Sequence, residues 1–161
     1  MLRQICFAIA LVLSLSYASA QLPSVQLRDI EGKRIATDSL SDGKHPLIIT
    51  FFATWCKPCL RELSAIDEVY PDWQAETGVR LVAVSIDEGA NSKKVKPLVR
   101  AKGWSYEVLL DPNGEFKRAM SVQVIPSVIV LGAEGEVIYR HTGYTEGGEQ
   151  KIIEALRQHK R

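Results

Sequence analysis

Leu47-Ile48-Ile49-Thr50-Phe51-Phe52-Ala53-Thr54-Trp55-Cys56-Lys57-Pro58-Cys59 decides how this chain folds. Pro46 to Phe52 is almost continuously apolar, the mark of a strand buried on both faces. From about Lys57, apolar residues recur at Leu60, Leu63, Ile66, Val69 and Tyr70, the spacing of a helix whose inner face carries them. A buried strand therefore runs into Cys-x-x-Cys, and the motif opens a helix. Pro58 suits that first turn, where a missing N–H has no partner to lose. The helix N-terminus offers free N–H groups and the positive end of its dipole to Cys56. Both favour thiolate, the nucleophile of disulfide exchange. Cys59 lies one turn on, within reach of a mixed disulfide formed at Cys56.

Two other uses of the pair fit less well. A zinc site needs about four ligands, commonly two such pairs. The third cysteine is Cys6, and the three histidines, His45, His141 and His159, read as scattered. A purely structural disulfide across so short a loop restricts the unfolded chain little. Dithiol redox chemistry is the expectation, with no metal and no prosthetic group.

The first twenty residues are expected to be a signal peptide outside the fold. Arg3 precedes an apolar run from Ile5 to Leu15, and Ala18-Ser19-Ala20 has the small-residue pattern of a cleavage site. The run is shorter than the roughly 20 residues a membrane span needs, so no stable anchor is expected after cleavage. Removal of residues 1–20 leaves Gln21 first, takes away Cys6, and leaves 19 basic residues against 19 acidic ones. A neutral chain is not built for nucleic acid or an anionic membrane surface. Residues 21–161 suit one domain. An exported chain holding a single cysteine pair has no disulfide framework, which again favours chemistry over architecture.

Outward from the motif, strands and helices alternate. Val25 to Asp29 and Lys33 to Ala36 read as a hairpin about Glu31-Gly32. Pro71 is expected to kink or restart the first helix. Val79 to Ile86 reads as a second buried strand. Asn91 or Ser92 is expected to cap a helix running to about Lys102, with Pro97 a complication. Tyr106 to Leu110 reads as a strand, Asp111-Pro112-Asn113-Gly114 as a turn, and Glu115 to Met120 as a short helix. Ser127 to Leu131 and Val137 to His141 form a second hairpin, and Thr145 to His159 a closing helix. The sum is an α/β three-layer sandwich.

The Trp55-Cys56-Lys57-Pro58-Cys59 motif, Ile125-Pro126-Ser127 and Gly135-Glu136-Val137-Ile138 resemble the thioredoxin superfamily, and more narrowly its TlpA/ResA/CcmG group of exported thiol–disulfide oxidoreductases. The likeness covers the whole chain after residue 20. It includes a central helix-strand insertion, about Asn91 to Asn113, which plain thioredoxins lack. It implies a cis Pro126 facing the dithiol, with the backbone of Ile125 offered to an extended client. Trp55, Lys57 and Pro58 are then expected to border the client, with Lys57 favouring the Cys56 thiolate. Trp73 and Trp104 read as packing residues.

Glu62 lies three residues after Cys59, so the two share a helix face. That face looks inward, because Leu63 and Ile66 do. A carboxylate there is an expected proton acceptor for Cys59, and it resembles the active-site acid of ResA-like proteins. The alternative is a solvated glutamate paired with a lysine or arginine. Thioredoxin's buried aspartate, six residues before its first cysteine, is Thr50 here, and its lysine partner is Ala83. The expected function is reduction of disulfides in other exported, periplasmic proteins, with recharging by a membrane-bound thiol donor and cytochrome c maturation as a candidate pathway. A net oxidase or isomerase shares the motif. A Sco-like copper chaperone wants a three-residue gap and a placed histidine, and a peroxiredoxin wants Pro-x-x-x-Thr-x-x-Cys, which Phe51 to Cys56 does not supply.

Overall fold

A computed structural model describes residues 21–160. The expected signal peptide, with Cys6, lies outside the described residues. In chain order the strands and α-helices are β1 (Gln26–Asp29), β2 (Arg34–Ala36), β3 (Leu47–Phe52), α1 (Lys57–Thr77), β4 (Arg80–Ser85), α2 (Val95–Lys102), β5 (Glu107–Leu110), α3 (Glu115–Ala119), β6 (Ser127–Leu131), β7 (Val137–Thr142) and α4 (Gln150–His159). One seven-stranded sheet results, in the order β2-β1-β5-β4-β3-β6-β7. β3, β4 and β5 run parallel, while β6, β7, β1 and β2 join antiparallel at the two sides.

The strand period of two divides β3 between two cores. Ile48 and Phe52 pack with Cys59, Leu63, Ile66, Val99 and Ile152, so α1, α2 and α4 cover one face. Leu47, Ile49 and Phe51 pack with Phe116, Met120 and Leu27, so α3 and the N-terminal segment cover the other. The three-layer α/β sandwich expected from the sequence is the architecture found. The expected insertion is present too: α2 leads into β5, which adds to β4 and separates it from the N-terminal hairpin.

Three local expectations need correction. Pro71 does not restart a helix, since α1 runs unbroken from Lys57 to Thr77. Its ring removes one N–H, but Tyr70 and Trp73 on either side are buried in the core, and that burial carries the helix through. Neither Asn91 nor Ser92 caps α2. Residues 89–94 form a 3₁₀ turn, Ser92 Oγ bonds back to Gly89 O, and α2 starts only at Val95. Pro97 then falls in the first turn of α2, where no bond is lost. Finally, α4 starts at Gln150 instead of Thr145. Gly147 has φ 76°, outside the right-handed helical region, and a turn from Thr145 O to Gly148 N fills the gap.

Candidate active site

Three chain segments meet at the C-terminal end of β3. Residues 53–56 leave β3 there, residues 86–88 leave its parallel neighbour β4, and residues 124–126 enter β6. Register fixes the third: Phe51 pairs with Ser127, which puts Pro126 beside the last residue of β3. The Ile125–Pro126 bond is cis, and the Pro126 carbonyl accepts Gly143 N–H at 2.8 Å. Pro126 is buried, Ile125 is half-buried and the preceding Val124 is exposed.

Cys56 and Cys59 are joined as a disulfide. Cys56 is the N-cap of α1: its Sγ accepts the Cys59 backbone N–H at 3.3 Å and its carbonyl accepts Leu60 N–H at 3.1 Å. Cys56 retains 7% exposure and Cys59 none. Trp55 is 64% exposed, and Lys57 and Pro58 are exposed too, so these three form the rim. Water around the Lys57 ammonium weakens its pull on the Cys56 sulfur. Beside the motif runs an open groove of about 690 Å³ lined by Pro58, Leu60, Arg61, Tyr144 and Glu146. Trp73 and Trp104 are buried packing residues, Trp104 edge-on to Phe52.

Glu62 is 2% exposed and, among the described residues, pairs with neither lysine nor arginine. Its Oε1 lies 2.6 Å from His141 Nε2 on β7. The histidines, scattered in sequence, each pair with a carboxylate: His141 with Glu62, His45 with Asp42 and His159 with Glu136. The motif loop has a second anchor that the sequence reading missed. Buried Asp87, two residues beyond β4, accepts Thr54 N–H at 2.8 Å, Thr54 Oγ1–H at 2.6 Å and Ser85 Oγ–H at 2.8 Å. The only signal was an acidic residue directly after the apolar run Val79 to Ile86, where a strand end meets the loops above the sheet. Thr50, in place of thioredoxin's aspartate, is fully buried with no hydrogen-bond partner for its hydroxyl among the described residues.

The chain is similar to known proteins. The family model described as AhpC/TSA matches residues 18–140. The chain is 30% identical over 139 residues to the thiol-disulfide oxidoreductase ResA of Bacillus thuringiensis subsp. konkukian, covering 86% of this chain and 76% of that protein. A solved thioredoxin-like protein from Porphyromonas gingivalis is 62% identical, with TM-score 0.76 over 86% of this chain and 91% of that one. StoA from Bacillus subtilis shares the fold at 23% identity, with TM-score 0.66 over 84% of this chain and 98% of its own. With a capped, bonded cysteine pair at the head of α1 and likeness along most of its length, the chain belongs to the AhpC/TSA family, as a thioredoxin-like thiol–disulfide oxidoreductase.

Proposed function

We propose that this oxidoreductase works as an exported, periplasmic reductase of disulfides in other exported proteins. The observation that carries the reading is the unequal placing of its two sulfurs: Cys56 at the helix cap and partly open, Cys59 fully covered. In the reduced protein the Cys56 thiolate attacks one sulfur of a client disulfide, and the client's other sulfur leaves as a thiolate. Cys59 gives up its proton and attacks Cys56 Sγ. The bond from Cys56 to the client breaks, the client receives its second thiolate, and the Cys56–Cys59 disulfide remains. Two electrons have moved from the dithiol to the client. A membrane-bound thiol donor then restores the dithiol by the same exchange in reverse. The steps need no prosthetic group. The exposed Trp55, Lys57 and Pro58, the groove beside them and the backbone of Ile125 supply a surface for an extended client. Export is supported by the sequence of residues 1–20, and cytochrome c maturation is the pathway favoured by likeness to the TlpA/ResA/CcmG group.

The experiment is a trap in cells. Cys59→Ser removes the resolving thiol, so client proteins accumulate disulfide-linked to Cys56, and Cys56→Ala traps nothing. Recovered protein is expected to begin at Gln21 by intact mass. Equilibration of the purified protein against glutathione is expected to give about −200 to −280 mV. Absence of captured exported proteins, or a potential near the roughly −120 mV of a strong oxidant, overturns the reductive reading.

A further inference from the structure

The second turn of α1 and the end of β7 hold a buried carboxyl–imidazole pair. Glu62 has its side chain 3% exposed, and His141 has 19%. Oε1 and Nε2 are 2.6 Å apart, but Glu62 Oε2 and His141 Nδ1 are both buried with no hydrogen-bond partner among the described residues. Cys59 lies one turn back on the same inward face of α1, its Cβ roughly 5–6 Å from that of a residue three positions on. Cys59 is itself without solvent exposure, so bulk water has no direct access to its proton. A buried carboxylate with one oxygen tied and one free is a ready acceptor for that proton.

We propose that His141 is a positioning residue for Glu62 in the resolving step. This rests on the reading of Cys59 as the resolving thiol. With its Nε2–H tautomer, His141 donates to Oε1. That bond stabilises the anionic carboxylate a proton acceptor has to be, and it fixes the side chain so that Oε2 stays free. The Cys59 thiol passes its proton to Oε2. The resulting thiolate attacks Cys56 Sγ, the bond to the client breaks, and the departing client thiolate is the final proton acceptor, directly or through solvent.

The groups around the pair fit this division. Tyr139 on β7 stacks at a tilt on His141, with ring centroids 5.5 Å apart. Its phenol is pushed above the usual range by burial first and by Glu62 second. Tyr144, beyond β7, is raised by burial, then by Glu149, Glu146 and Glu62, against Arg61 of α1. From β6 the cross-strand neighbour of His141 is apolar Val128. On the approach to α4, Glu149 has a buried Oε2 without a hydrogen-bond partner among the described residues.

The test separates attack from resolution. Reduced protein mixed with the aromatic disulfide DTNB releases one coloured thiolate when Cys56 attacks and a second when Cys59 resolves. His141→Leu is expected to leave the first phase within about twofold, to slow the second about tenfold or more near neutral pH, and to move its pH profile upward. His141→Gln, which keeps an N–H donor, restores most of the rate. Glu62→Gln slows the same phase, and the double variant is no slower than Glu62→Gln alone. A second phase in His141→Leu that superimposes on wild type, while Glu62→Gln alters it, overturns the proposal and leaves His141 a packing residue. If Cys59→Ser still releases the second thiolate, the underlying reading of Cys59 fails instead. If His141→Leu does not fold, His141→Phe takes its place in the same assay, with the same expected and overturning results.

Discussion

Three donors meet the Asp87 carboxylate, and two of them belong to Thr54, two residues before Cys56. An anion with no solvent exposure to speak of is tolerable only when such bonds replace its water. The same bonds tie the loop carrying Trp55 and Cys56 to the end of β4, so Asp87 holds the segment leading to Cys56 in place. Asp87→Asn turns part of this acceptor into a donor that faces other donors. It is expected to cost about 1–3 kcal/mol of stability and to slow attack by Cys56. Urea unfolding of the oxidised protein, alongside its reactivity when reduced, checks both. A loss below about 0.5 kcal/mol, typical of a surface change, would show that the loop holds itself.

α1 places both cysteines and Glu62, so its two ends matter as elements. The N-terminal end is closed by Cys56. At the C-terminal end Gly78 takes φ 72° and its N–H closes on Gln74 O at 2.8 Å, the left-handed stop that glycine allows cheaply. A Cβ at Gly78 would lie 2.9 Å from His45 Cδ2, so any side chain there meets strain and a clash together. Gly103 ends α2 in the same left-handed way, with φ 69° and nothing within 4 Å of its added Cβ. Gly103→Ala is therefore expected to cost about 1 kcal/mol, and Gly78→Ala to cost more, about 2 kcal/mol. Thermal or urea unfolding of the two variants side by side isolates the clash with His45. Equal losses would mean that His45 swings aside freely.

For the molecule as a whole, several surface carboxylates are held in their charged form. The His45 ring hydrogen bond keeps Asp42 well below the usual carboxylate range. Lys96 lowers Glu31, and Arg157 lowers Glu76, the latter joining α4 to α1. In each case the folded value lies below the unfolded one of roughly 4. The stability these groups add is complete above that value and is lost as pH falls through the folded values. Unfolding free energy is thus expected to hold from neutrality down to about pH 5 and to decline below about pH 4. Exposure and screening keep each contribution small, and high salt flattens the decline further. Urea titrations across pH at two salt concentrations check this. A decline that begins above about pH 5.5 and ignores salt would place the sensitivity in a buried group instead.

What the sequence determined by itself is whatever depends on periodicity and local chemistry. The apolar run from Leu47 to Phe52, the helical spacing after Lys57 and the pair Cys56/Cys59 set strand, helix and dithiol in order, because burial on two faces or one stripe imposes a period readable over ten residues. The absence of thioredoxin's ion pair, with Thr50 and Ala83 in its place, is legible only through the resemblance to thioredoxins. Pro71 and Thr145 misled for the complementary reason: local propensity yields to core burial in one place and to the φ of Gly147 in the other. Only the tertiary structure decided the partners of the site. His141 reaches Glu62 across 79 residues and Asp87 reaches Thr54 across 33. Those meetings depend on strand register, since a slip of one residue between β6 and β7 would turn His141 to the opposite face. Register is set by the packing of the whole sheet, which no short window of sequence contains.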